Sequence, residues 1–318
     1  MGEQRFTREA HSCISTSKRK DKDNSSLSPF VVAIVLSSTF MHAGWNLLAR
    51  YGRSEGVFYL RLLIVTSVVG FVPAVVSEIL TRSMPPLAWL CVLGSGTAAA
   101  AYLFFMAKAF QTADFSTVYP VVRALPVVLV AFADVARGRF LTPFGWAGVL
   151  MVAGGCILVP LRSFQDFKLK NYWNRNSLWM VLAALGTVGY TMLDKVAAEV
   201  VEPGPWTAVR YGYFYFLISL FPYWLMWRAS ASSKVIRGSA GWELATLGAV
   251  LQFGAYGLIL WAYQLTPYAS YVVAFRQFSI VLGSVAAFLF YHEQGVKVRL
   301  TGAVMIAAGL VMIAVLGW

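Results

Sequence analysis

Charge is what this sequence has least of. Asp, Glu, Lys and Arg make up 13% of its 318 residues, about half the share found in soluble domains. With 58% hydrophobic residues and a mean hydropathy of +0.65, a soluble globular fold is excluded and a membrane protein is expected. Cysteine is also scarce. Cys13 lies in a polar N-terminal stretch, and Cys91 and Cys156 lie in apolar runs, which excludes a disulfide framework and a thiolate metal site. His11, His42 and His292 are equally scattered, so neither a metal nor a cofactor is expected. Nucleophile, base and acid residues do not cluster at helical spacing, and the chain is not expected to be an enzyme. Gly52-Arg53-Ser54-Glu55-Gly56 has the letters of a hydrolase nucleophile elbow. That motif needs a strand before it and a helix after it, whereas here both neighbours are apolar helical runs.

Acidic residues are fewer than basic ones, 14 against 26. In a soluble chain that imbalance would point to nucleic acid. Here six of the basic residues, Arg5, Arg8, Lys18, Arg19, Lys20 and Lys22, lie in the N-terminal stretch beside four acids, and most of the rest flank apolar runs, so the expected partner is the anionic surface of a lipid bilayer. Residues 1–28 have too few apolar side chains to pack and are expected to form a disordered basic tail. The tail lacks the apolar core of a signal peptide, so the first helix is expected to be retained. Its charge places both termini in the cytoplasm by the positive-inside rule. Arg162, Lys168, Lys170, Arg175, Arg228, Lys234 and Arg237 would then lie on the opposite side.

What the chain has in abundance is apolar runs of bilayer-spanning length, about 20 residues each. Ten are expected, near 29–49, 55–78, 86–108, 114–136, 143–161, 176–197, 204–227, 241–264, 267–290 and 297–317. The second half repeats the first. A shift of 153 positions carries Trp89 to Trp242, Gln111 to Gln264 and Arg123 to Arg276. Gly44-Trp45-Asn46 is echoed by Gly189-Tyr190-Thr191, and Arg61 with Pro73 by Arg210 with Pro222. Five spans per copy is an odd number, so the second copy enters the membrane from the opposite side. The expected fold is all-α and integral to the membrane, with ten transmembrane helices in two inverted five-helix repeats, residues 29–161 and 176–317.

The run Ala113-Asp114-Phe115-Ser116-Thr117-Val118-Tyr119-Pro120-Val121-Val122-Arg123, followed by Gly145-Trp146-Ala147-Gly148 and Gly154-Gly155, resembles the EamA-like ten-helix branch of the drug/metabolite transporter superfamily. The resemblance spans about residues 30–317 and implies a carrier of small metabolites in a bacterial inner membrane, as monomer or homodimer. Helices four and nine of that family usually end in glutamate. Glu293 matches in the second half, whereas Arg139 or Phe140 stands there in the first. Val122-Arg123-Ala124-Leu125-Pro126 also resembles the helix-four segment of sugar-phosphate translocators of the same superfamily.

Candidate site residues follow from depth. Arg123 lies about ten residues into the fourth run, near mid-membrane, where a cation is costly and faces a cavity or a partner. Arg276 is its copy. Pro120 and Pro126 flank Arg123 and withhold amide donors from nearby carbonyls, a helix break that must line a cavity or find other partners. The second half has Val273 and Ser279 in their places. His42, Trp45 and Asn46 share one helix face and either touch substrate or tie helices together. Tyr119 and Tyr271 are candidate cavity residues, and Asp134, Asp194 and Glu293 are candidate coupling acids. Arg61 and Arg210 are expected to reach the headgroups. The expected function is alternating-access transport of a small organic metabolite carrying a carboxylate, phosphate or phosphonate. Export of aromatic or other apolar amino acids is the alternative within transport, and a structural or lipid-handling role is the alternative outside it.

Overall fold

The computed structural model describes residues 28–49, 56–112, 115–159, 161, 163–166, 177–230, 241–282 and 296–317. The basic tail, Glu293 and the side chains of Asn46, Tyr119 and Pro120 lie outside the described residues. Among those described there are no strands. There are ten α-helices: α1 (Pro29–Ala49), α2 (Gly56–Thr81), α3 (Pro86–Thr112), α4 (Phe115–Ala136), α5 (Pro143–Leu158), α6 (Ser177–Val200), α7 (Pro205–Ala229), α8 (Trp242–Leu265), α9 (Ala269–Arg276) and α10 (Val296–Leu316). Four of them begin on proline, whose fixed φ and missing N–H suit the first helical turn. At α5 the start is sharpened further, because Thr142 Oγ1 accepts the Gly145 amide at 3.0 Å.

Five helices are long and apolar enough to cross a bilayer, over Val57–Thr81, Pro86–Ala109, Ser177–Val200, Trp242–Leu265 and Lys297–Leu316, while Pro29–Trp45, Pro143–Leu158 and Ala269–Leu282 are shorter apolar helices. Their outward faces carry large apolar side chains, among them Val69 and Leu80 of α2, 74% and 78% exposed, as a lipid-facing surface requires. The ninth run is where the structure departs from a plain span. Regular α-helix stops at Arg276, and helical turns resume over 278–282. The cause is local hydrogen bonding: Gln277 Nε2 donates to the Val273 carbonyl at 3.0 Å, Ser279 Oγ donates to the Arg276 carbonyl at 2.8 Å, and the Gln277 amide tightens onto Ala274 O at 2.9 Å. Side-chain donors that satisfy carbonyls in this way compete with the helical ladder.

Packing pairs the two halves. α3 lies along α6 and α7, α8 lies along α1 and α2, α4 meets α6, α9 meets α1, and α5 pairs with α10, α2 with α7 and α4 with α9. Advancing each helix by five places, and counting on from one after ten, reproduces these main pairs. The α5–α10 seam is close enough to demand glycine. A Cβ on Gly155 would stand 2.6 Å from the Gly302 carbonyl oxygen, and one on Gly148 would stand 2.8 Å from that of Gly309. Small residues that let helix backbones touch are a common way of joining helices in lipid.

One end of the bundle is closed by hydrogen bonds among the ends of α4, α6 and α8 and the turns that follow them. Arg137 bonds Glu199 at 2.5 Å, Lys195 Nζ donates to the carbonyls of Tyr263 and Thr266 at 2.8 and 2.6 Å, and the Gly204 amide donates to Gln264 Oε1 at 2.8 Å. Arg210 corrects its expected headgroup position. It donates to Ser83 and Ser77 at 3.0 Å each and lies 3.4 Å from Glu78. The buried Glu78 carboxylate, which caps the α2–α3 turn through the Met84 amide at 2.9 Å, is an inward partner that outweighs a reach to the membrane surface.

Candidate functional site

Above this closed end, inner turns of seven helices line a small cavity with about 30 Å³ of room for water-sized molecules. Its wall is formed by His42 and Trp45 (α1), Leu63 (α2), Ala99, Tyr102 and Leu103 (α3), Tyr190 (α6), Tyr215, Phe216 and Ser219 (α7), Gln252, Ala255 and Tyr256 (α8) and Arg276 (α9). The break at Gln277 puts Arg276 on the last turn of a helix segment directed at this space. Its guanidinium lies over the Tyr256 ring, 5.8 Å from the centroid, an attractive placement for a cation on a π-face. Tyr102, Tyr190 and Tyr263 are further close neighbours of its charge. Among the described residues, no hydrogen bond or ion pair ends on the Arg276 guanidinium.

The aromatic residues form one connected box. Tyr215 stacks on Tyr256 at 4.5 Å, Tyr190 meets both edge-on at 6.0 Å, and Tyr102 and Phe216 extend the box on either side. Behind it is Asp194, 1% exposed. Its Oδ1 accepts from Ser95 and, at 2.9 Å, from Tyr211, and its Oδ2 accepts from Tyr256. Three hydroxyl donors satisfy a buried carboxylate without a direct cationic partner. Tyr256 therefore joins two charges, with its hydroxyl on Asp194 and its ring under Arg276.

The two sequence-related arginines have different surroundings. Arg123 Nη2 stands 2.9 Å from His42 Nε2, and His42 Nδ1 accepts from Trp45 Nε1 at 2.9 Å. His42 and Trp45 line the cavity, and Arg123 reaches it through His42. Helix α4 runs unbroken past Pro120 and Pro126, whereas α9 breaks beside Arg276. Of the other candidate residues, Asp134 lies at the closed end, where it accepts the Ser270 amide at 2.7 Å and pairs with Arg137 at 3.8 Å. Tyr271 is also there, donating to the Gly317 carbonyl at 2.6 Å.

Tyr102, Tyr215, Phe216, Gln252 and Tyr256 were not singled out by sequence, although the repeat contained a signal for some of them. The 153-residue shift pairs Ala99 with Gln252, Tyr102 with Ala255 and Leu103 with Tyr256. Both members of every pair line the cavity. Trp45 and Tyr190, equivalent through the Gly-Trp-Asn and Gly-Tyr-Thr echo, line it as well. In two of these pairs, Ala99/Gln252 and Tyr102/Ala255, one half contributes a small residue and the other a large or polar one, whereas Leu103/Tyr256 and Trp45/Tyr190 are large on both sides.

Apolar helices long enough to cross a bilayer, packed around a partly polar cavity, are those of an integral membrane protein. Residues 175–315 match the model of the EamA-like transporter family, which is part of the drug/metabolite transporter superfamily. Twenty-seven chains of solved structures also match. One of them, a crystal structure described only as that of a protein, aligns over 92% of this chain and 98% of its own at 15% identity with a TM-score of 0.66. At that identity the likeness is one of fold alone. No curated protein matches.

Proposed function

We propose that the protein is a ten-span secondary carrier whose two five-helix halves are inverted repeats, and that it moves a small organic anion by alternating access through the central cavity. The exchange-symmetric helix pairing and the repeat-equivalent cavity walls support this reading, since inverted-repeat carriers hold their substrate at the repeat interface. One observation carries the anionic preference. Arg276 presents a half-buried guanidinium to the cavity with an aromatic ring beneath it and no hydrogen-bonding partner among the described residues. A carboxylate or phosphate can accept two parallel N–H bonds from such a group and offset the cost of its burial. Arg123 and His42 supply a second donor pair on the opposite half. His42 lines the cavity, and its contact with Arg123 places that second cation one residue behind the wall.

The tyrosine box also supports the alternative reading, export of an aromatic or other apolar amino acid, a zwitterion whose carboxylate would lie at Arg276. Asp194 is the acid best placed to couple proton movement to transport, because Tyr256 connects it to Arg276. Uptake into proteoliposomes, screened over anionic, zwitterionic, neutral and cationic metabolites, tests the reading. An anionic or zwitterionic substrate whose uptake collapses in Arg276→Gln is the expected result. A cationic or uncharged substrate would overturn it.

A further inference from the structure

We infer that the ion pair between Arg137 and Glu199 is a latch: it holds two groups of helices together at the closed end and parts when the cavity opens to that side. This inference rests on the alternating-access reading. The helix packing sorts into two groups. α4, α5, α9 and α10 pack on one another, and α1, α2, α3, α6, α7 and α8 do the same, while the two groups meet mainly where α4 lies along α6. Every residue of the cavity wall except Arg276 belongs to the group of six. Arg276 and Arg123 belong to the group of four, so a movement between the groups would carry both cations relative to the aromatic wall.

Arg137 follows α4 directly and Glu199 lies in the last turn of α6, so their bond at 2.5 Å crosses the boundary between the groups. The other hydrogen bonds described at this end do not cross it. Lys195 with the Tyr263 and Thr266 carbonyls, Gly204 with Gln264, and Arg210 with Ser77 and Ser83 stay within the six. Asp134 with Ser270, and Tyr271 with Gly317, stay within the four. The crossing pair is separable because each partner has a second one on its own side. Arg137 lies 3.8 Å from Asp134, three residues back, and Glu199 lies 3.3 Å from Lys195, four residues back. Each side of the boundary is therefore neutral by itself, and parting avoids the heavy cost of an unpaired buried charge. At 22% and 35% exposed, the two side chains can also be hydrated as they separate. Arg210 and Glu78 make the contrast. They join α2 to α7 within one group, and α7 contains no acid of its own, so parting would strand the guanidinium.

Distances between nitroxide pairs, measured by pulsed electron paramagnetic resonance on the full-length protein in lipid nanodiscs with Cys13, Cys91 and Cys156 replaced by alanine, test the latch. Arg139→Cys with Glu202→Cys spans the two groups at the closed end, Thr81→Cys with Glu202→Cys lies within the six at that end, and Glu243→Cys with Lys297→Cys spans the groups at the opposite end. All five positions are exposed. Glu199→Ala should raise the ratio of long to short distances in the first pair about fivefold, leave the second pair as in the parent, and shorten the third. Raising sodium chloride from about 0.05 M to about 0.5 M should move the parent in the same direction and Glu199→Ala less, because a partly exposed pair is screened by salt. The salt arm stands by itself if the alanine variant fails to insert. A first pair that does not lengthen in either arm overturns the latch, as does one that lengthens together with the second, which would mean a general loosening. If the first pair stays short while the third samples two distances, alternating access stands and only the latch falls. If the first pair lengthens without any change in the third, or neither shows a second distance, the alternating-access reading fails and the inference fails with it.

Discussion

Arg123 and Arg276 occupy equivalent places in the two halves of the chain, 153 residues apart, and their surroundings are unlike. The first lies in a continuous helix against His42. The second ends a helix segment, lies over a tyrosine ring and faces the cavity. A shared offset along the sequence thus does not bring a shared environment. Packing across the repeat boundary then divides the labour. α8 and α9 supply the cation, the amide and the tyrosine at the cavity, while α1 and α3 supply His42, Trp45 and small or apolar wall. A substrate with distinct ends needs this asymmetry, since two identical half-sites would accept it in either direction.

The sharpest way to break the comparison is to remove one arginine at a time. Arg276→Gln should reduce transport about hundredfold or more, because the cation that receives the anion is gone. Normal insertion and an unchanged melting temperature would show that the loss lies in binding. Equal losses in Arg276→Gln and Arg123→Gln would mean that the two arms are functionally alike, contrary to the arrangement seen here.

A second test separates the Tyr256 ring from its hydroxyl. Tyr256→Phe keeps the face beneath Arg276 but takes the donor from Asp194 Oδ2, leaving a buried carboxylate oxygen unsatisfied. Destabilisation of about 1–3 kcal/mol is expected, read as a lower melting temperature in detergent, with a smaller loss of transport than Arg276→Gln causes. If stability is unchanged, the hydroxyl is not holding the acid.

Much of this was legible in the sequence, and the part that was not has a physical cause. The ten apolar runs, the prolines at helix starts and the Trp89/Trp242, Gln111/Gln264 and Arg123/Arg276 matches outline the helices and pair them. The break after Arg276 was not legible because it depends on the Gln277 and Ser279 side chains turning back onto carbonyls within their own helix, a choice that neither residue type makes reliably. The Asp194 cluster joins residues up to 99 positions apart, and nothing local in Ser95 or Tyr256 marks that contact. Arg210 misled for the opposite reason. Its place near a helix start fits the membrane surface well, and only the packing of α2 against α7 brings Glu78, Ser77 and Ser83 within its reach.

The smallest effect is expected at Arg123, and its size follows from hydrogen-bond counting. Arginine is only a donor, and so is the indole nitrogen of Trp45. Neutral His42 has one acceptor nitrogen, which Trp45 occupies at 2.9 Å, so its other nitrogen carries a proton towards Arg123 at the same distance. At that distance the two nitrogens touch and, with the proton so placed, their N–H groups oppose each other. A glutamine at 123 can turn its carbonyl oxygen to accept the His42 proton, so Arg123→Gln should change stability by no more than about 1 kcal/mol, in either direction. Transport should fall about tenfold, because one of the donors that converge on the substrate's anionic group is lost while Arg276 remains. His42→Phe supplies the control. It removes the ring nitrogens from both Arg123 and Trp45, so if Arg123 acts on the cavity through His42, Arg123→Gln should cost much less in that background than in the parent. Full, additive losses from the two substitutions would show that Arg123 acts independently of His42.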